Sequence, residues 1–341
     1  MDMEQPILFI AIFVSFILTL MTLPKWIRKC NQVGLLWEDM NKYKHPRNVA
    51  ASGGIVVIMA FVISVLAYIS VRTFIIGDIN GITREILSLL SVVLILAVVG
   101  LADDMLGWKH GGLSIRMRIF LAFMASIPLV VINAGDSAVN LPFIGAVNVG
   151  LLYPLILIPI AIAGATTTYN FLAGFNGLEA GQGIIILSFL SFISYITGSS
   201  WLAMVGLCMV ISLIVFYYYN KFPATVFPGD ILTWSIGALI ACMAILGNFE
   251  KIALFIFMPY ILETILKLRG KLKMQSFGIP NKDRSLEMPY PKIYGLTHLS
   301  IFILKKFKEK VYERDVVYFI FAIQIVICLA ALIVFKSSLF V

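Results

Sequence analysis

Acids, amides and basic residues recur in short clusters between long apolar runs: D-M-N-K at 39–42, D-D at 103–104, N-F-L-A-G-F-N-G-L-E-A-G-Q-G at 170–183, G-D at 229–230 and K-D-R at 282–284. The richest is 170–183. Backbone N–H and C=O groups freed by an irregular segment find no partner in hydrocarbon, so such a segment lines a polar cavity or lies at its mouth. Its four glycines permit positive φ and close backbone approach to a ligand, and Asn170, Asn176 and Glu179 are then presented from a supported loop. The competing reading is a plain glycine-rich turn; the length of the stretch and its place between two apolar runs favour a site.

Asp103 and Asp104 end an apolar run, where a carboxylate opposes the helix macrodipole at a cost of about 0.3–1 kcal/mol. Adjacent helical residues point in different directions, so the pair is not one chelate. One acts as a base or binds metal while the other orients basic groups, or the pair is a solvated boundary. Asp230, in F-P-A-T-V-F-P-G-D, reads equally well as an N-cap or as a metal ligand beside the free N–H groups of a helix N-terminus, which welcome phosphate. Lys109, Arg116, Arg118, Lys282 and Arg284 supply cations for headgroups or for clamping a pyrophosphate. His45, His110 and His298 lack zinc-ligand spacing, and no G-x-S-x-G, Walker or G-x-G-x-x-G string occurs. Scattered carboxylates, amides and cations fit Mg²⁺-assisted phosphoryl transfer, with Mn²⁺ as the alternative ion, because Mg²⁺ takes few protein oxygens and completes its shell with phosphates.

The elements that must position these groups are membrane helices. The 341 residues are 60% hydrophobic and 13% charged, with a mean hydropathy of +0.98, which excludes an ordinary soluble domain. The expectation is an all-α polytopic membrane protein of about ten transmembrane helices, at 6–23, 53–71, 87–102, 118–134, 151–169, 183–198, 201–219, 231–247, 251–268 and 317–336. No linker or internal repeat divides it, so 1–341 reads as a single domain. The four cysteines have no paired spacing and imply no disulfides. With the N-terminus outside, the inner loops hold 22 Lys and Arg and the outer loops 4 of the 26 in the chain, a strong positive-inside asymmetry. Every polar cluster then falls on the cytoplasmic face. The net charge of +8 suits anionic lipids and substrates, not nucleic acid. The stretch 296–315 passes from apolar to basic, like a helix lying in the interface.

On these motifs the chain resembles the polyprenyl-phosphate N-acetylhexosamine-1-phosphate transferases, most of all the UDP-N-acetylglucosamine–dolichyl-phosphate type of eukaryotes and archaea. The strings D-M-N-K, L-A-D-D, W-K-H, N-F-L-A-G-F-N-G-L-E-A-G-Q, V-F-P-G-D and L-E-M-P-Y occur in the family's order across nearly the whole chain. The resemblance implies a cytoplasmic site in which Asn170 and Asp230 hold one Mg²⁺, Asn176 hydrogen-bonds the uracil and Phe227 stacks on it. It further implies Asp103 as the base on the lipid phosphate, with Asp104 near the phosphates and metal, and substrate contacts from Glu179 and Lys42. The family's basic segment falls on N-K-D-R at 281–284 instead of a His-rich or Arg-His-Arg string, so Lys282 and Arg284 are its stand-ins. Lys109 substitutes for a family lysine after the acid pair.

The implied reaction moves N-acetylglucosamine-1-phosphate from UDP-N-acetylglucosamine to a dolichyl or polyprenyl phosphate, by direct attack in preference to an aspartyl intermediate. It would be the first step of lipid-linked oligosaccharide assembly. Another UDP-N-acetylhexosamine donor, or a transporter or lipid-binding scaffold, is the alternative. The compact loops point to an archaeal plasma membrane, and self-association into a homodimer is left open. In intact cells, a cysteine introduced as Arg84→Cys is expected to react with a membrane-impermeant maleimide, and one introduced as Lys306→Cys to react only after permeabilisation.

Overall fold

The computed structural model describes residues 4–77, 81–141 and 145–336. It is an all-α polytopic membrane protein. Among the described residues, eight helices are long and apolar enough to span a bilayer. They are built on α1 (Glu4–Val33), α2 (Gly54–Val71), α3 (Ile82–His110), α6 (Ile158–Phe171), α7 (Leu178–Ile196), α8 (Ser200–Asn220), α9 (Gly229–Leu246) and α13 (Glu313–Val334). One π-helical turn extends α2 at its end and another precedes α6.

The two remaining expected spans are each broken in two. The segment 118–134 forms α4 (Ile115–Met124) and α5 (Ile127–Val131), and 251–268 forms α10 (Glu250–Ile256) and α11 (Met258–Arg269). Pro128 and Pro259 sit in the first turn of the second helix of each pair. Proline lacks the N–H that would continue the preceding helix and its ring crowds the carbonyl four residues back, so each run stops and restarts. Apolar content alone does not register such a break.

Three antiparallel hairpins interrupt the helices: β1 (Leu36–Glu38) with β2 (Arg47–Ala50), β3 (Ala138–Leu141) with β4 (Gly145–Asn148), and β5 (Ile279–Pro280) with β6 (Leu286–Glu287). The first matters for the site. Ala50 N–H donates to Thr225 O at 3.1 Å and Phe227 N–H to Ala50 O at 2.8 Å, which fixes the approach to α9.

Helix α9 is the hub, packed on α3, α6, α2, α7 and α10. Small residues set its distances. A methyl at Gly237 would stand 2.7 Å from Thr166 Cα, and one at Gly100 would stand 2.6 Å from the Asp230 carbonyl oxygen. Between membrane helices, where lipid is as apolar as leucine, such close backbone approach supplies much of the attraction. Buried hydroxyls add to it: Ser15 Oγ of α1 donates to Cys208 O of α8 at 2.7 Å, and Thr19 Oγ1 to Ser212 Oγ at 3.1 Å.

The expected interfacial helix at 296–315 is replaced by α12 (Leu296–Leu304), a turn, and then α13. Helix α12 is packed inward, with Leu296, Thr297, His298, Ser300 and Ile301 buried. Its Thr297 Oγ1 donates to Ser276 O at 2.7 Å. Those internal polar partners make it a core element, a pairing that hydropathy does not reveal.

His298 is fully enclosed. Its Nδ1 accepts from Tyr294 N–H at 3.4 Å, the Tyr290 ring meets it edge-on, and burial beside the Lys267 ammonium pushes its pKa down to about 4. An ordinary histidine titrates near 6.5. Between those values the unfolded chain takes up a proton that the native chain refuses, so stability is full above pH 6.5 and is lost as pH falls towards 4. Thermal unfolding in detergent is expected to drop between pH 7 and 5 for the wild type, and His298→Asn to flatten that drop.

Candidate active site

A cavity of about 670 Å³ opens where α3, α6 and α9 meet the hairpin β1–β2 and the chain at 275–277. Asp103, Asp104, Asn170, Glu179, Phe227 and Asp230 line it, although they come from three separate stretches. The two adjacent acids point apart, as helical geometry requires.

Asp104 turns towards α9. Its Oδ1 accepts from Asp230 N–H at 2.7 Å, and its Oδ2 from Ile231 N–H at 3.4 Å and Ser52 Oγ at 3.0 Å. A side chain of one helix thus caps the N-terminus of another, where the free N–H groups and the dipole favour a negative charge. The N–H groups of 230 and 231, which a phosphate would otherwise find open, are already engaged by Asp104. Gly229 is required for this contact. Its φ is +72°, and a Cβ there would stand 2.2 Å from Asp104 Oδ2.

Asp103 turns to the other side and is buried. Its Oδ1 accepts from Leu113 N–H at 2.5 Å, and its Oδ2 pairs with Arg118 Nη2 at 2.7 Å. Arg118 Nη1 also lies 3.8 Å from Asp230 Oδ2, while its Nε donates to Leu113 O at 3.0 Å. The carboxylates of Asp103 and Asp230 thus share one guanidinium. Among the described residues, Arg118 is the cation paired with this acid cluster. The side chain of Lys109, which the sequence proposed for that part, lies outside the described residues.

Asn170 ends α6 beside α9. Its amide is best satisfied with the nitrogen donating to Thr233 Oγ1 at 3.0 Å and Asp230 Oδ1 at 3.3 Å, and the oxygen accepting from Trp234 Nε1 at 3.2 Å. The expected irregular stretch 170–183 is shorter than its composition suggests. Asn170 and Phe171 finish α6 and Leu178 already begins α7, which leaves 172–177 as the loop. Gly174 (φ +104°) and Gly177 (φ +86°) serve that turn. Gly181 instead lets helix pack on ring, since a Cβ there would stand 2.0 Å from Phe321 Cζ. Glu179 closes the loop, its Oε1 accepting from Gly174 N–H at 2.8 Å.

The other sequence-proposed residues stand apart from the acids. Asn176 is buried behind the wall, with Nδ2 donating to Asp39 Oδ2 at 3.1 Å. Lys42 pairs with Glu313 at 2.5 Å and Asp39 at 3.3 Å, its ammonium 4.0 Å from the Phe222 ring centroid. Lys282 lines a separate shallow cavity of about 370 Å³ with Asp283 and Lys310, and Arg284 lines neither cavity. Sequence reasoning did not single out Ser52, Phe277 or Glu313. Asp39 entered only as part of D-M-N-K, and Arg118 only as one of several basic residues after the acid pair.

The chain belongs to glycosyl transferase family 4, whose sequence profile matches residues 86–248, the region that holds Asp103, Arg118, Asn170 and Asp230. It is 33% identical over 302 residues (88% of this chain, 89% of the relative) to a Saccharolobus solfataricus protein provisionally named UDP-N-acetylglucosamine–dolichyl-phosphate N-acetylglucosaminephosphotransferase. A Sulfolobus acidocaldarius protein with the same provisional name is 32% identical over 95% of both chains. The Dictyostelium discoideum protein so named, without the qualifier, is 29% identical over 78% of this chain and 72% of its own length.

Asp104→Ala and Gly229→Ala are each expected to lower unfolding stability by about 1–2 kcal/mol, the scale of a lost helix cap. Because both act on one contact, thermal melts of the double variant should show a loss well short of the sum.

Proposed function

We propose that this chain transfers N-acetylglucosamine-1-phosphate from UDP-N-acetylglucosamine to a dolichyl-type polyprenyl phosphate, releasing UMP. The observation that carries the reading is the gathering of Asp103, Asp104, Asp230 and Asn170 around one cavity. Three carboxylates against one guanidinium leave an excess of negative charge that a divalent cation would balance, and the all-oxygen donor set suits a hard ion such as Mg²⁺. Among the described residues no three His, Cys, Asp or Glu side chains close around an ion by themselves. Mg²⁺ needs fewer, since it keeps water and binds through one or two carboxylates plus substrate phosphates. Asp230 and Asn170 would hold it; the Asn170 amide already touches Asp230, and a half-turn about its last torsion exchanges nitrogen for oxygen. When bound, the ion supplies charge neutralisation at the pyrophosphate.

The chain's own residues account for the rest. Asp103, aimed by Arg118 and the Leu113 N–H, takes the proton of the acceptor phosphate. The acceptor oxygen then bonds to the sugar-linked phosphorus. The bond from that phosphorus to the bridging oxygen breaks, and UMP leaves with that oxygen. Arg118 reaches towards both acids and can share its guanidinium with a phosphate in the bidentate manner arginine favours. Asp104, with both oxygens engaged by α9 and Ser52, acts by holding Asp230 in place. The excess of basic residues in alternate loops supports a cytoplasmic mouth for the cavity.

Purified protein with Mg²⁺, labelled UDP-N-acetylglucosamine and dolichyl phosphate is expected to give a lipid-linked sugar diphosphate and UMP, and a chelator to stop it. Across a panel of labelled UDP-sugars, UDP-N-acetylglucosamine should be preferred. Asp230→Ala and Asp103→Asn should each lower turnover at least about 10²-fold, the scale of losing a general base or a preorganised charge. Mg²⁺-dependent UMP release at the wild-type rate in Asp230→Ala would contradict the assignment, and a burst of UMP without acceptor would contradict direct attack.

A further inference from the structure

Glu313, the first residue of α13, is 2% exposed and does not itself line the cavity. Its carboxylate nevertheless gathers two segments that are distant in sequence. Oε1 accepts from Asn176 N–H at 2.8 Å and from Asn41 Nδ2 at 3.5 Å, and Oε2 accepts from Lys42 Nζ at 2.5 Å. Asn41 carries the connection onward, with Nδ2 donating to Gly174 O at 2.7 Å and Oδ1 accepting from Gly278 N–H at 3.1 Å. Asn176 Nδ2 returns to Asp39 at 3.1 Å.

Each joined segment supplies cavity wall directly beside these bonds: Asp39 and Met40, Gly174 and Phe175, and Phe277. None of the three is part of a long helix or a wide sheet. With little backbone ladder between them, their spacing depends on side-chain bonds, and a carboxylate with about four acceptor positions is well suited to join several donors. The wall offers aromatic rings and the main-chain polar groups of a tight loop. Those features fit a flat heterocycle with a donor and acceptor edge better than they fit a polyprenyl chain, which presents nothing to hydrogen-bond.

We propose that Glu313 is a positioning residue that sets the wall on which the nucleotide of the donor rests. The inference rests on the functional reading above. Such a residue acts on ground-state binding of the donor and leaves the acid cluster untouched. Glu313→Gln removes the charge that holds Lys42. Asn41→Ala keeps that pair but cuts the links to Gly174 and Gly278.

The test is titration calorimetry of UDP-N-acetylglucosamine against the full-length protein in detergent with Mg²⁺ and no acceptor, followed by steady-state kinetics. Both variants are expected to weaken donor binding and raise the donor KM about tenfold, while kcat and the KM for dolichyl phosphate stay within about threefold, the signature of lost uniform binding. Wild-type protein that binds no UDP-sugar would overturn the functional reading and this inference with it. Wild-type binding matched by both folded variants would overturn the inference alone. So would a fall in kcat at unchanged donor affinity, or loss of the fold in both variants, which would make the cluster purely structural.

Discussion

The arrangement depends on one contact between helices: the carboxylate of Asp104, on α3, seated on the N-terminal amides of α9. A helix turns about 100° per residue, so this contact admits one rotational setting of α3 against α9. In that setting Asp103 faces Arg118, Asp230 leaves the first turn of α9 into the cavity, and Gly100 and Gly229 occupy the two places where a side chain would not fit. Ser52, just after the hairpin β1–β2, is a further donor to the same carboxylate, and the hairpin's last strand residue pairs with the approach to α9. The acid cluster is therefore carried by helices locked in register, and short non-helical segments at 39–40, 172–177 and 275–277 complete the wall.

That locking has an electrostatic consequence. Pressing Asp103 and Asp230 together is unfavourable unless positive charge is supplied, and Arg118 supplies it from one side. The same guanidinium keeps the acids in place and is available to a phosphate, so the protein holds the ingredients of charge neutralisation before any substrate arrives. Preorganisation of this kind is what phosphoryl transfer asks of a protein, because the chemistry needs positioning and charge balance more than covalent participation. Membership in glycosyl transferase family 4 and the likeness to the archaeal and slime-mould relatives agree with this physical description.

Much of the fold and site was legible in the sequence, for identifiable reasons. Long apolar runs read as membrane helices, and the polar clusters between them pointed to Asp103, Asn170 and Asp230, which do line one cavity, whereas Lys282 and Arg284 do not join it. The divergence of Asp103 and Asp104 follows from helical periodicity alone. What could not be read was set by tertiary packing. Gly181 looks like a loop residue but makes room for Phe321. The breaks at Pro128 and Pro259 lie within runs that hydropathy reads as continuous. Glu313 sits at the foot of the last apolar helix, where an acid is an ordinary first-turn residue; only its partners 137 and 271 positions away give it another meaning. Arg118 was one basic residue among many until Asp103 and Asp230 singled it out.

The proposed sharing of a divalent ion by Asp230, Asn170 and the phosphates of the donor can be tested without turnover. Mn²⁺, substituted for Mg²⁺ and examined by electron–nuclear double resonance in the presence of UDP-N-acetylglucosamine, reports phosphorus nuclei bound close to the metal. A phosphorus coupling is expected in the wild-type protein and its loss in Asp230→Ala. An identical coupling in both proteins, or bound Mn²⁺ with no phosphorus coupling in either, would contradict it.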